Sequence, residues 1–186
     1  RGLGMCIRDR TYTLHVAGLT RELPICKIND HLDIAAFIMF SDVELTIACA
    51  KALLEKCPDF DVILTAEAKG IPLAYEMSRQ SGKQWIPARK GVKGYMADPV
   101  IVEDQSITTA GKQTLVIDKK DLDYMNGKRI LVVDDVISTG GSLHALDALA
   151  ARSSGTIVAQ AAVLAEGDAA ERKDIIFLEP LPLFAH

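Results

Sequence analysis

The sequence has no excess of positive charge and no long apolar run. Lys and Arg total 21 against 25 for Asp and Glu, which gives a net charge of -4. A protein that binds nucleic acid by neutralising phosphates needs a broad basic face, and this composition does not supply one. The longest uninterrupted apolar run, residues 34–40, is far shorter than the ~20 residues that span a bilayer. We therefore expect neither nucleic acid nor a membrane among the partners.

The sequence also lacks the common motifs for zinc, for disulfide frameworks and for nucleotides. No C-x-x-C pair occurs and the histidines are scattered, which predicts neither a zinc site nor a disulfide framework and favours a reduced, cytoplasmic protein. The four cysteines are Cys6, Cys26, Cys49 and Cys57. There is no G-x-x-x-x-G-K-S/T loop for a triphosphate and no G-x-G-x-x-G turn for a dinucleotide.

What is present is enough apolar sequence for one domain. The chain has 186 residues, of which 49% are hydrophobic and 25% charged, as expected for a full core. Residues 1–10 are charged and lack the apolar stretch of a signal peptide, so we expect a disordered extension followed by a single domain over 11–186. Short strand-like segments within residues 11–40 predict a small N-terminal hood, and residues 175–186 are a candidate addition to it.

From residue 61 onward, short apolar runs alternate with helical patterns. This order predicts an α/β fold with a central parallel sheet flanked by helices, a Rossmann-like arrangement. Before it, Ser41 and Glu44 form a capping box, and Val43, Ile47, Ala50 and Leu54 then fall on one face of a helix that should end before Pro58. Residues 90–129 are polar, and only residues 113–118 in them form a clear strand pattern, which indicates a lid or disorder.

A glycine-rich turn follows the most apolar strand. Residues 130–133 are all apolar, as in a central strand covered on both faces, and a helical pattern begins after the turn. Such a junction offers unpaired backbone N–H groups and the positive end of a helix dipole, to which hydroxyl groups add donors. The residues predicted to bind phosphate here are Ser138, Thr139, Gly140, Gly141 and Ser142.

Two acids, Asp134 and Asp135, stand at the entrance to this turn. Beside a phosphate they would be repelled unless they bind sugar hydroxyls or a divalent cation that bridges to the ligand. A pair of acids followed by a phosphate site therefore predicts binding of a ribose 5-phosphate. The alternative is an ordinary strand-to-helix turn in which Ser138 or Ser142 caps the helix.

Residues 130–142, ILVVDDVISTGGS, resemble the phosphoribosyl pyrophosphate (PRPP) signature of the type I phosphoribosyltransferases. The order of the other segments, over about residues 61–166, is similar to the purine members and particularly to the adenine phosphoribosyltransferase-like group. The resemblance implies transfer of the phosphoribosyl group of PRPP to a ring nitrogen of a purine base, with pyrophosphate leaving and Mg²⁺ held through PRPP rather than by direct protein ligands. A homodimer is usual in such families.

The resemblance also implies roles for other residues. Residues 66–70 correspond to a pyrophosphate loop that often holds a cis peptide bond, Arg89 and Lys90 correspond to a basic pair that faces the pyrophosphate, and Lys112 lies in the mobile catalytic loop. The implied pyrophosphate contacts are Glu67, Ala68, Lys69, Gly70, Arg89 and Lys90, and the implied catalytic residues are Asp134, Asp135, Arg89 and Lys112. For the lysines, a solvated surface or loop position is the alternative.

The identity of the base is less determined. Ser138 stands where hypoxanthine-guanine enzymes carry an acid, and residues 166–168 offer no lysine for a purine oxygen, which favours adenine. The base should lie under the hood near Arg21, Leu23, Pro24 and Ile25, closed by residues 181–184; the alternative is that these apolar residues tie the hood to the core. A hypoxanthine, xanthine or guanine enzyme, an orotate or uracil enzyme, and a PRPP- or purine-sensing regulator without catalysis remain as alternatives.

Overall fold

The computed structural model of the chain describes residues 6–105 and 112–186. The strands are β1 (Cys6–Val16), β2 (Leu19–Asn29), β3 (Leu32–Ala35), β4 (Val62–Ala66), β5 (Gln84–Ala88), β6 (Pro99–Gln105), β7 (Lys112–Asp118), β8 (Arg129–Ile137), β9 (Thr156–Glu166), β10 (Ile176–Leu181) and β11 (Leu183–Ala185). The helices are α1 (Val43–Lys56), α2 (Ile71–Ser81), α3 (Lys119–Tyr124) and α4 (Gly141–Ala150), with a 3-10 turn at Gly167–Glu171.

A five-stranded parallel sheet in the order β10-β9-β8-β4-β5 forms the centre of the fold. Alternate residues of its strands point to opposite faces, because side chains alternate along a strand. Ile63 packs with the cluster that contains α1 and α2, whereas Leu64 packs with the cluster that contains α3 and α4. Helices therefore cover both faces, which confirms the predicted α/β class.

The hood is a four-stranded antiparallel sheet in the order β1-β2-β3-β11. Its last strand comes from the C-terminal end of the chain, whereas β10, within the candidate addition, belongs to the central sheet. Strand β1 begins at Cys6, so the prediction of a disordered extension is wrong for residues 6–10; residues 1–5 lie outside the described residues. Pairing with β2 provides hydrogen bonds that the charged composition did not predict.

Two local expectations are corrected. Asp42, not Ser41, is the N-cap of α1, and its carboxylate accepts a hydrogen bond of 3.2 Å from the Leu45 amide. Of the predicted face, Ala50 is fully buried, but Val43 is 68% exposed. Leu45 and Leu53 complete the buried face, because the packing of α1 against α2 and β10 rotates it from the one that apolar spacing suggested.

The stretch 90–129 is more regular than expected. Strand β6 pairs with β7 in an antiparallel ribbon, and α3 follows directly. The strand Pro99–Gln105 contains three consecutive β-branched residues at 100–102, a local strand signal that the sequence prediction missed among the polar residues around it, and β7 supplies its hydrogen-bond partner.

The prediction that the cysteines form no disulfide is also corrected. Cys26 is disulfide-bonded, and the register of the first hairpin places Cys6 opposite it. Cys49 and Cys57 are free, and burial raises the pKa of both thiols, that of Cys49 to about 12. In the described part of the chain, no helix is long and apolar enough to cross a membrane.

Candidate functional site

A cavity of about 860 Å³ lies where the carboxyl ends of β4, β8, β9 and β10 meet the hood. Ligands of open α/β sheets bind at this edge. Its walls come from four parts of the chain: the junction between β8 and α4, the loop after β4, the hood, and the ribbon of β6 and β7. The lining residues of the first two parts are Asp134 to Leu143, and Ala66, Glu67, Ala68 and Lys69 with Lys90.

The predicted phosphate loop forms one end of the cavity. All five of its residues line the wall: Ser138, Thr139, Gly140, Gly141 and Ser142. Gly140 has φ +84°, a left-handed conformation that a glycine adopts without strain, and the turn leads directly into α4. Among the described residues no side chain caps α4, so the N–H groups of its first turn face the cavity uncapped and the alternative of an ordinary serine-capped turn is not supported.

Ser138 differs from its predicted role in one respect. Its hydroxyl donates a hydrogen bond of 2.9 Å to Oε1 of Glu166, a buried residue at the end of β9 that also lines the cavity. A hydroxyl has one proton to donate, so in this arrangement the Ser138 hydroxyl donates to Glu166 and not to a phosphate. Glu166 had no role in the sequence prediction, because only the pairing of β8 with β9 brings it beside the phosphate loop.

The acid pair lies in the middle of the cavity wall. Oδ1 of Asp135 accepts a hydrogen bond of 2.8 Å from the Val136 amide. Its Oδ2 is buried and has no hydrogen-bond partner among the described residues, although Nζ of Lys69 lies 3.4 Å away in an ion pair. Burial and the neighbouring Asp135 carboxylate raise the pKa of Asp134 well above its usual value. Two acids are thus held close together at an energetic cost, which is typical of a binding or catalytic site.

The loop at residues 66–70 forms the next wall. The peptide bond between Glu67 and Ala68 is cis, as the resemblance led us to expect. Gly70 lies behind the loop: a Cβ atom on it would lie 2.4 Å from Oγ1 of Thr65 and 3.3 Å from Oδ1 of Asp134. The absence of a side chain at this position therefore lets the loop pack directly against the acid pair.

Glu67 joins this loop to the predicted basic pair. Its carboxylate accepts hydrogen bonds from the Lys90 amide at 2.5 Å and from Nε of Arg89 at 2.8 Å, and these contacts lower the pKa of Glu67. Arg89 also donates to the hydroxyl of Tyr95 at 2.5 Å. Lys90 lines the cavity, whereas Arg89 is not among the described lining residues. The side chain of Lys112 lies outside the described residues.

The hood wall is apolar and differs from the predicted base contacts. Arg21, Leu23, Pro24 and Ile25 are not among the described lining residues; Arg21 instead pairs with Asp42 and Glu44. The correction follows from the topology, because β3 and the segment after it, not the centre of β2, face the cavity. The hood residues of the wall are Cys26, Ile28, Ile34, Ala35, Ala36, Phe37 and Ile38, joined by Leu181 from the end of β10.

Comparisons with known proteins agree with this geometry. The family model described as "Phosphoribosyl transferase domain" matches residues 44–179. An adenine phosphoribosyltransferase from Rhodococcus jostii is 31% identical over 126 residues, which cover 68% of this chain and 69% of that protein. The matches to adenine phosphoribosyltransferases from Malacoplasma penetrans and Thermotoga petrophila span 61% and 58% of those proteins, so the chain spans about three-fifths of the length of these relatives.

Solved structures of similar architecture have the same fold. Adenine phosphoribosyltransferase from Thermoanaerobacter pseudethanolicus superposes with a TM-score of 0.63 at 23% identity, covering 76% of this chain and 84% of that chain. The Saccharomyces cerevisiae enzyme superposes with a TM-score of 0.59 at 17% identity, covering 91% of this chain and 93% of that one. Since the family model covers well over half of the sequence, this chain belongs to the phosphoribosyl transferase domain family.

Proposed function

We propose that this chain is a purine phosphoribosyltransferase that acts in nucleotide salvage, with adenine as the favoured base. It would transfer the 5-phosphoribosyl group of PRPP to a ring nitrogen of the base and release a nucleoside monophosphate and pyrophosphate. The observation that carries this proposal is the buried Oδ2 of Asp135, which accepts no hydrogen bond from the described residues and lies on the same cavity wall as an uncapped helix N-terminus. A sugar that carries both hydroxyls and a terminal phosphate matches both features.

The 5-phosphate and the two ribose hydroxyls of PRPP would occupy one half of the site. The N–H groups of residues 139–142 would bind the 5-phosphate at the positive end of α4. The carboxylates of Asp134 and Asp135 would accept hydrogen bonds from the two ribose hydroxyls, and each charge-assisted bond contributes about 1.5–3 kcal/mol. A donor from the ligand would also give the buried Oδ2 of Asp135 the partner that it lacks in the described chain.

The leaving pyrophosphate would lie against the loop at residues 66–70. Lys69 and Lys90 both line this wall and would neutralise the departing diphosphate, while Glu67 holds the backbone of Lys90 in place. Arg89 would act indirectly, through the hydrogen bond that it donates to Glu67. The C1–O bond breaks with its electron pair leaving on pyrophosphate, the lone pair of the base nitrogen forms the new C1–N bond, and the ring N–H proton of the base is released to pyrophosphate or water. Preorganised positive charge at the leaving group stabilises this separation.

Magnesium fits the same wall. Within residues 6–105 and 112–186, no group of three or more histidine, cysteine or acidic side chains could hold a metal ion. Mg²⁺ often keeps several waters and binds through substrate phosphates with few protein ligands, so the diphosphate of PRPP would hold the ion beside Lys69 and Lys90 without a direct protein ligand. When bound, the ion would supply positive charge to the diphosphate oxygens.

The base would lie against the apolar hood wall. Phe37 and Ile38 give this wall flat and branched apolar surfaces, which suit a planar heterocycle. Glu166, at the cavity end of β9, carries a carboxylate that accepts hydrogen bonds when ionised. An amino group on the base is a better partner for it than a carbonyl oxygen, which supports adenine over oxopurines.

The test is a panel of bases. The chain is incubated with PRPP, Mg²⁺ and adenine, hypoxanthine, guanine, xanthine, orotate or uracil in turn, and nucleotide and pyrophosphate are measured. We expect turnover with a purine, highest with adenine. Asp135→Asn should lower kcat/KM by about 10- to 150-fold, the equivalent of one charge-assisted hydrogen bond, while the matched exposed variant Asp123→Asn on α3 should not.

Other outcomes would reject parts of this proposal. PRPP binding in calorimetry without turnover of any base would favour a PRPP-sensing regulator. Turnover of orotate or uracil alone would contradict the purine assignment. Unchanged kinetics in Asp135→Asn would remove the assignment of this acid to the sugar.

A homodimer is part of the proposal. Exposed apolar side chains on α1, α2 and the segment before them form a candidate contact: Phe40 is 47%, Val43 68% and Tyr75 59% exposed. Sedimentation velocity should give twice the chain mass of 20.2 kDa. A monomer at micromolar concentration would contradict it.

A further inference from the structure

The ribbon of β6 and β7 supplies a wall of the cavity from outside the central sheet. Gln113 and Leu115 of β7 line the cavity. In the antiparallel register Gln113 lies opposite Asp104, and Leu115 lies opposite Val102. Residues directly opposite each other share one face of a ribbon, so Asp104 lies on the same face as the two lining residues.

This face packs on α4. Leu115 of the ribbon and Leu143 and Leu146 of α4 belong to one buried cluster, with Val102 packed against it. Beyond this apolar contact, toward residues 106–111, the ribbon meets α4 through Asp104 and His144. Nδ1 of His144 lies 2.5 Å from Oδ2 of Asp104, and the Asp104 side chain is only 12% exposed.

His144 is rigidly connected to the phosphate loop. It lies in the first turn of α4, and its amide donates a hydrogen bond of 2.9 Å to the carbonyl oxygen of Gly140. His144, which contacts the ribbon through Asp104, is therefore one helical turn from the uncapped N–H groups of α4. The Asp104 carboxylate, with a smaller contribution from Asp147, raises the pKa of His144, in accord with an ionic contact.

We propose that Asp104 and His144 are positioning residues that fix the distance between the ribbon wall and the phosphate loop at residues 138–142. Bound PRPP would then contact both walls of the cavity at once. This rests on the proposed function for its substrate. Neither residue is among the described lining residues, so each acts through others: Asp104 through Gln113 and Leu115, and His144 through the first turn of α4.

The first test is a double-mutant cycle in the full chain. Asp104→Ala and His144→Ala should each raise KM for PRPP by about three- to tenfold, with kcat changed less than twofold and KM for the base unchanged. The double variant should resemble either single variant, because each removes the same contact. His144→Asn should restore KM, since the asparagine amide nitrogen lies near the position of Nδ1 and can donate to Asp104.

The matched control is another ion pair with an exposed partner, Lys119 and Asp123 on α3, whose Nζ–Oδ2 distance is 2.7 Å. Asp123→Ala should leave KM for PRPP unchanged. Parent values of KM in both single variants, additive effects in the double variant, or no rescue by His144→Asn would each overturn the proposal.

A second readout does not depend on turnover. Hydrogen–deuterium exchange of the amides of β6 and β7 in the ligand-free chain should accelerate at least threefold in Asp104→Ala and His144→Ala and remain at the parent rate in Asp123→Ala. Unchanged exchange would overturn the positioning role even in an active enzyme. If the parent chain fails to turn over any base but exchange responds as stated, the proposed function fails and the ribbon contact stands.

Discussion

Substitution of Gly70 by alanine tests how closely the loop at residues 66–70 and the acid pair are packed. Gly70 has φ -80°, which alanine adopts without strain, so the whole effect must be steric. The added Cβ would lie 2.4 Å from Oγ1 of Thr65, and Thr65 is fully buried. Its hydroxyl donates a hydrogen bond of 2.8 Å to the carbonyl oxygen of Val133 and so cannot turn away freely.

The structure offers two ways to relieve this contact. If Thr65 rotates, the hydrogen bond to Val133 is lost, at about 0.5–1.5 kcal/mol. If the loop moves away instead, overpacking lowers the free energy of unfolding by about 1–3 kcal/mol. A displacement of about 1 Å between reacting groups lowers a rate by roughly 100-fold. We therefore expect Gly70→Ala to unfold about 2–10 °C lower and to lose about 100-fold in kcat/KM for PRPP.

The assay is steady-state pyrophosphate release together with thermal unfolding followed by circular dichroism. Gly94→Ala is the matched control, because no described atom lies within 4 Å of its added Cβ. Thr65→Ala supplies the second arm: with Oγ1 absent, the nearest remaining atom to the added Cβ is Oδ1 of Asp134 at 3.3 Å, so Gly70→Ala should be far less damaging in that background. Parent-like kinetics and stability in Gly70→Ala would refute the packing argument.

Three further outcomes follow from the same structure. Burial and the Asp135 carboxylate raise the folded-state pKa of Asp134 above the unfolded value of about 3.9, so the folded chain binds more protons between the two values and its stability falls as pH rises through that range. Ligand-free Asp134→Asn should therefore unfold at a higher temperature than the parent at pH 7 while losing activity, and a lower unfolding temperature would contradict this. Asp42→Ala removes the N-cap of α1 and should lower the free energy of unfolding in urea by about 0.5–2 kcal/mol; no change would show that Ser41 can cap instead. Leu53→Ala, at a fully buried position of α1, should lower the free energy of unfolding by about 2–5 kcal/mol. A decrease of less than 1 kcal/mol would contradict the assigned helix face.

The candidate site was partly predictable because some of it is contiguous in the chain. The strand, the acid pair and the phosphate loop occupy residues 130–142, and backbone N–H groups at a strand-to-helix junction point to one place whatever surrounds them. The alternation of apolar runs and helical patterns predicted the parallel sheet for a similar reason, since each unit is local. These features needed only composition and spacing.

Contacts between distant segments were decided by the tertiary structure. The apolar wall at residues 34–38, the carboxylate of Glu166 and the bond from Glu67 to Arg89 each join parts of the chain that no spacing relates. The face of α1 and the pairing of β6 were also set by their partners rather than by their own patterns. The sequence by itself thus determined the glycine-rich turn and the acid pair, where the chain supplies its own donors and acceptors over a few residues. Only the folded arrangement decided the apolar hood wall and the ribbon wall of the cavity, because strand order and register bring those side chains together.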